Sequence, residues 1–127
     1  MNDLIGIPFV PLGRLKTGCD CAGLVILFYK EVMKINHQDY ISYTDVMADN
    51  EEKIIASLNH AKFSKTELPK KQGDLLVIRT YGRAAHLGIC FDERYFLHTL
   101  EGVGSHLASY DNHLWVKRME SRWRMIS

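Results

Sequence analysis

With 127 residues, 46% hydrophobic and 24% charged, the chain has the make-up of a globular protein, and its length suits a single domain spanning 1–127. Sixteen Lys and Arg against fifteen Asp and Glu leave a net charge of +1, which is not the basic footprint of a nucleic-acid binder. No apolar run approaches the ~20 residues that span a bilayer, and the opening MNDLIGIPFVPLGRL carries Asp3 and lacks the basic start of a secretory signal. The expectation is a soluble protein made in the cytoplasm.

In chain order, the first strongly periodic stretch is CAGLVILFYKEVMK, where Leu24, Val25, Leu27, Phe28 and Val32, with Ile35 just after it, recur at helical spacing. Lys30, Glu31 and Lys34 make its wet side, so a central helix is predicted over 21–34. A second, shorter helix is expected from Asp49, whose acids Glu51 and Glu52 suit a helix start, through Ile54, Ile55 and Leu58. From Gly73 the period changes from 3.6 to 2. DLLVIRT, AHLGICF, RYFLHTL and VGSHLASY read as four strands, with turns at Asp92-Glu93 and Glu101-Gly102. The stretch 115–125 alternates Trp115, Lys117, Met119, Ser121 and Trp123 with Val116, Arg118, Glu120, Arg122 and Arg124, and reads as a last strand with a basic outer face. Helix first and strands after imply an α+β fold, a central helix packed on a mainly antiparallel sheet.

Three cysteines do not make a disulfide framework, and Cys19 and Cys21 are too close in sequence to bridge without strain. Cys21 stands at the predicted helix start, where unpaired N–H groups and the dipole favour a thiolate, and the small Ala22 and Gly23 leave room for a substrate. His86 and His98 interrupt two otherwise apolar strands. Their separation of twelve puts both imidazoles directly opposite each other on one face of a hairpin if the connecting loop is odd in length and centred on Asp92. In a Cys-His hydrolase the sulfur attacks a carbonyl, one histidine moves the proton and a third group orients that ring. Here those parts fall to Cys21, His86 and His98 in turn, with the Cys21 N–H contributing to an oxyanion hole. Cys19 is a weaker rival for the reacting thiol, and Cys90 reads as a small buried hydrophobe. His37, His60, His106 and His113 read as surface or turn residues.

GIPF, GCDCAGLV, QGDLLVI, HLGICF and RYFLHTLEGVG occur in that order, and together they resemble the NlpC family of papain-like cell-wall cysteine peptidases over 5–124. The resemblance implies a papain-like domain without a cofactor that cleaves an amide of the peptidoglycan stem peptide, of the γ-D-glutamyl–diamino acid type. It assigns Cys21, His86 and His98 to the catalytic triad, and makes Asp20, Phe9 and Ala22 the candidates for substrate binding or the oxyanion site. Phe9 stands where the family has a tyrosine whose hydroxyl serves the substrate, and Pro11-Leu12-Gly13 replaces its Trp-Gly-Gly. The closing 114–124 segment, with Trp115, Arg118, Trp123 and Arg124, is similar to short variants from phages and gene-transfer particles. That likeness implies phage-like tail proteins as partners and delivery to the cell wall by a particle, an expectation that the shortness of the chain suits.

Three rival readings remain at this stage. One is a structural tail module with a relic site, and another is an acyltransferase or thioesterase on the same three residues. The third is a zinc site from Cys19, Cys21, His86 and His98, which the Cys-x-Cys spacing suits poorly.

Overall fold

The computed structural model describes residues 2–35, 62–80 and 83–125. The second expected helix, 49–58, lies outside them, as do His37 and His60. After a single 3-10 turn at Asn2–Leu4 comes a two-stranded hairpin, β1 (Arg14–Leu15) with β2 (Gly18–Cys19), and then helix α1 (Cys21–Glu31). Next are strands β3 (Phe63–Lys65), β4 (Leu75–Thr80), β5 (Arg83–Cys90), β6 (Tyr95–Leu100) and β7 (Gly104–Ser109). A short helix α2 (His113–Arg118) and strand β8 (Met119–Met125) complete the described chain. Six strands form one sheet in the order β3-β8-β4-β5-β6-β7, antiparallel at every pairing.

The period of two along these strands sorts the side chains onto two faces. Leu75, Val77, Leu87, Ile89, Leu97 and Trp123 meet α1 through Leu24, Val25 and Phe28. Leu76, Ile78, Cys90 and Phe96 point the other way and pack with Tyr110, Trp115 and Met119. α1 is buried on all but a narrow stripe, as expected of a helix apolar nearly all round. Its first turn lies so close to the β1 loop that a Cβ at Gly23 would come 2.1 Å from the Gly13 carbonyl oxygen, so only glycine fits there. The segment before β1 is tied to β7 by Ser105, whose hydroxyl donates to the Leu4 carbonyl at 2.7 Å and accepts the Ile7 amide at 2.8 Å.

The structure corrects the reading of the chain's end. Where one strand was expected from Trp115, residues 113–118 are helical. The Asn112 side chain caps this turn by accepting the Leu114 amide at 2.9 Å, and only after Arg118 does the chain extend. Nor are Arg122 and Arg124 a wet basic face. Both grip Asp74, a carboxylate 1% exposed, at 2.7 and 2.8 Å. Burial would raise the Asp74 pKa, but the two guanidinium groups and the Lys71 amide outweigh it and hold the carboxyl below its usual range. The Gly-Asp-Leu string thereby locks β8 beside β4.

Candidate active site

Asp20 caps α1. Its carboxylate accepts the Gly23 amide at 2.9 Å, the Leu12 amide at 2.9 Å and the Arg14 guanidinium at 2.7 Å. Leu12 is left-handed at φ 62°, and the bond from its amide helps to hold it there. Asp20 is therefore committed to folding the β1 loop onto the helix start. A carboxylate cannot donate to an oxyanion, and this one is 1% exposed and engaged by those three donors. At the helix start the Leu24 amide bonds to the Asp20 carbonyl and the Gly23 amide to its side chain. Ala22 directs its N–H toward the Cys21 sulfur.

Cys21 is buried, 3% exposed, and the Leu87 amide also faces its sulfur, one residue beyond His86. Cys21 belongs to the α1 core, whereas His86 and His98 share the alternation of Cys90 and Phe96 and lie on the opposite face of the sheet. The two sides meet at the seam between β5 and β6. Among the described residues these strands pair at Cys90–Phe96 and Ile89–Leu97 and at no position beyond, which brings the helix start to the Leu87 amide.

The hairpin between β5 and β6 puts five residues, 91–95, between the paired Cys90 and Phe96, an odd loop held by the Asp92 carboxylate, which accepts the Arg94 and Tyr95 amides at 2.8 Å each. Both imidazoles consequently share one face. They are offset diagonally rather than opposed, and His86 Nε2 lies 2.9 Å from His98 Nδ1. His86 Nδ1 has no hydrogen-bond partner among the described residues and remains the nitrogen open to a reacting group.

Electrostatics run against the expected low-pKa thiol. Burial, with the nearby Asp20 charge adding to it, pushes Cys21 up to about 12 despite the Leu87 and Ala22 amides, which favour the thiolate. Burial, with His106 repelling a second positive charge, lowers His86 to about 4, and His98 falls further for the same reasons together with the repulsion from His86. The thiol and the two imidazoles therefore all rest neutral. The dipole and amide contributions were legible in the sequence, but the desolvation that overrides them was not.

Two residues of the site were missed. His106 is not a surface residue: it pairs with His98 across β6 and β7, its ring 4.5 Å away centroid to centroid, and its Nδ1 is 2.9 Å from the Gly104 carbonyl. The near-symmetry of the strands about Gly102 was the signal that could have found it. Trp115, carried by α2, stands edge to face with His98 at 4.6 Å and 86°. Phe9 is half-buried and bridges Cys19 through its backbone. Cys19 and Cys90 are buried, burial holds the Cys19 pKa near 11, and all three cysteines are free thiols. Among the described residues no three histidine, cysteine or acidic side chains converge as a metal site would need.

A cysteine at the start of a buried helix, beside an antiparallel sheet that carries a hydrogen-bonded histidine pair, is the framework of a papain-like cysteine hydrolase. Residues 6–124 match the NlpC/P60 family, and the chain belongs to that family of cysteine peptidases. Among solved structures it is similar to the NlpC/p60 domain of the peptidoglycan hydrolase SagA, at 17% identity and a TM-score of 0.61, covering 98% of this chain and 92% of that one. It is also similar to a lipoprotein-like NLP/P60 family protein from Staphylococcus aureus, at 18% identity and a TM-score of 0.66. That match covers all of this chain but 40% of the other. No curated protein sequence matches the chain.

Proposed function

We propose that the protein hydrolyses amide bonds in peptidoglycan stem peptides, of the γ-D-glutamyl–diamino acid type, with Cys21 as nucleophile, His86 as acid and base and His98 as its orienter. The observation that carries this reading is the 2.9 Å His86–His98 bond in a chain of the NlpC/P60 family whose helix-start sulfur is faced by the amide of Leu87, the residue after His86. The similarity to the domain of a peptidoglycan hydrolase supports the substrate class.

Because both groups rest neutral, the thiol proton passes to His86 Nδ1 as sulfur bonds to the substrate carbonyl carbon, and the imidazolium that forms leans on His98 Nδ1 through its Nε2–H. The oxyanion then meets the Cys21 amide at the helix start. Collapse breaks the C–N bond, His86 returns its proton to the departing amine, and a thioester to Cys21 remains. Water, giving a proton to His86, cleaves that thioester and regenerates the thiol. The proposed setting is a phage or phage-like tail that delivers the enzyme to the cell wall, supported by the resemblance of 114–124 to phage-type variants.

The test is mass spectrometry of muropeptides incubated with wild type and with Cys21→Ser. Cleavage should occur with wild type and fall by about 10³-fold or more in the variant. Equal cleavage by both would remove Cys21 from the mechanism. The enclosed, high-pKa thiol favours a second reading, an assembly module with an idle site. No cleavage by wild type, together with equally slow iodoacetamide labelling of Cys19, Cys21 and Cys90, would establish that one.

A further inference from the structure

The Nε2 atom of His98 is fully buried and has no hydrogen-bond partner, at the centre of the site. A buried polar atom left so calls for an explanation. Its surroundings are rings: Phe96 at 4.9 Å, His106 at 4.5 Å and Trp115 at 4.6 Å, centroid to centroid. The rings of His86 and His98 are joined Nε2 to Nδ1, so one of these two nitrogens carries a hydrogen and the other a lone pair. If His86 donates, the proton of neutral His98 sits on Nε2, and His86 Nδ1 keeps the lone pair that a base needs. If His98 donates, its Nε2 presents a lone pair to the surrounding rings, and the proton of neutral His86 sits on the nitrogen that must receive one.

Aromatic faces are electron-rich. They attract an N–H and repel a lone pair. Trp115 is the largest of these rings, and its plane stands at 86° to that of His98, the T-shaped relation in which an N–H on the edge of one ring can meet the face of the other. It is held there by α2, whose first turn is closed by Asn112, and the Arg118 guanidinium lies 5.8 Å from its ring. The other titratable group acting on the pair is His106 from β7, while Arg118 lies over the Trp115 ring. The His106 proton is engaged with the Gly104 carbonyl, at 2.9 Å.

We propose that Trp115 is a positioning residue: its ring holds His98 as the Nε2–H tautomer, so that His86 presents a bare Nδ1 to Cys21. This rests on the assignment of those three residues as the reacting group.

The test uses the full-length, ¹⁵N-labelled protein. Two-bond ¹H–¹⁵N spectra at neutral pH should give His98 a protonated Nε2 and a bare Nδ1 in wild type, unchanged in Trp115→Phe, which keeps an aromatic face. In Trp115→Leu, with folding checked by thermal unfolding, the Nδ1–H form should appear and His98 should titrate nearer the ordinary histidine range. In parallel, kcat should fall about tenfold in Trp115→Leu with KM within twofold, and Trp115→Phe should restore it. A wild-type proton on Nδ1 of His98, or a folded Trp115→Leu that keeps the wild-type pattern, overturns the proposal. Should Trp115→Leu not fold, the wild-type and Trp115→Phe spectra decide. The tautomer is read without substrate, so a failure to cleave muropeptides would sink the proposed function and leave this result standing.

Discussion

The two faces of the sheet hold different things. Against α1, Leu24, Phe28, Val77 and Ile89 form a core of hydrocarbon, in which burial contributes about 25 cal/mol for each Å² removed from water. On the other face Phe96, Trp115 and Tyr110 enclose His86, His98 and His106 instead. There, dehydration acts on titratable groups, and its product is a pair of imidazoles that resist protonation. Carbon around carbon stabilises the fold, whereas carbon around nitrogen stores chemical bias. The sulfur of Cys21 lies at the seam between them.

The sharpest way to break this contrast is a matched pair of truncations. Phe28→Ala and Phe96→Ala each remove a fully buried ring, and each should cost about 3–5 kcal/mol in denaturant unfolding. Phe28→Ala should leave the pH dependence of cleavage unchanged. Phe96→Ala admits water beside His98, whose ring is 4.9 Å away, and should move the acid limb of the profile upward. Identical pH profiles for the two variants would erase the distinction.

Acid gives the next largest effect. His86 is held near 4 in the folded protein against 6.5 unfolded, and His98 is depressed as well, so the unfolded chain binds more protons between those values. The stability that these neutral rings leave intact is complete above about pH 6.5 and is lost as pH falls toward 4, by roughly 3 kcal/mol for His86 alone. Urea midpoints measured from pH 7.5 to 4 should show that slope, and His86→Gln should flatten it. A slope untouched by the substitution would place the acid sensitivity elsewhere.

Smaller still is Asp20→Ala, expected to cost about 1–2 kcal/mol through the lost helix cap, with Asp20→Asn retaining most of it. A change in KM with no change in unfolding midpoint would place Asp20 on the substrate side and contradict its role as a cap.

Much of the fold was legible because its signals are local. The 3.6 and 2 periods placed α1 and β4 to β7 within a few residues, and the parity of the β5–β6 loop put His86 and His98 on a common face. The signals failed where partners are distant. Arg122 and Arg124 alternate like a wet edge, yet Asp74, about fifty residues earlier, holds both. Trp115, Lys117 and Met119 alternate like a strand, yet Asn112 starts a helix turn there, and the capping residue before an apolar run was the cue that went unused.

Chain order and spacing were enough to identify a helix-start thiol, a histidine pair and the family they resemble, because each depends on residues a few positions apart. Charge state was not legible in that way. The sign of every important pKa at the site is set by desolvation, which sums over side chains from α1, β5, β6, β7 and α2 at once. No stretch of sequence contains that sum, so a cysteine placed like a ready thiolate rests in the fold as a protonated thiol.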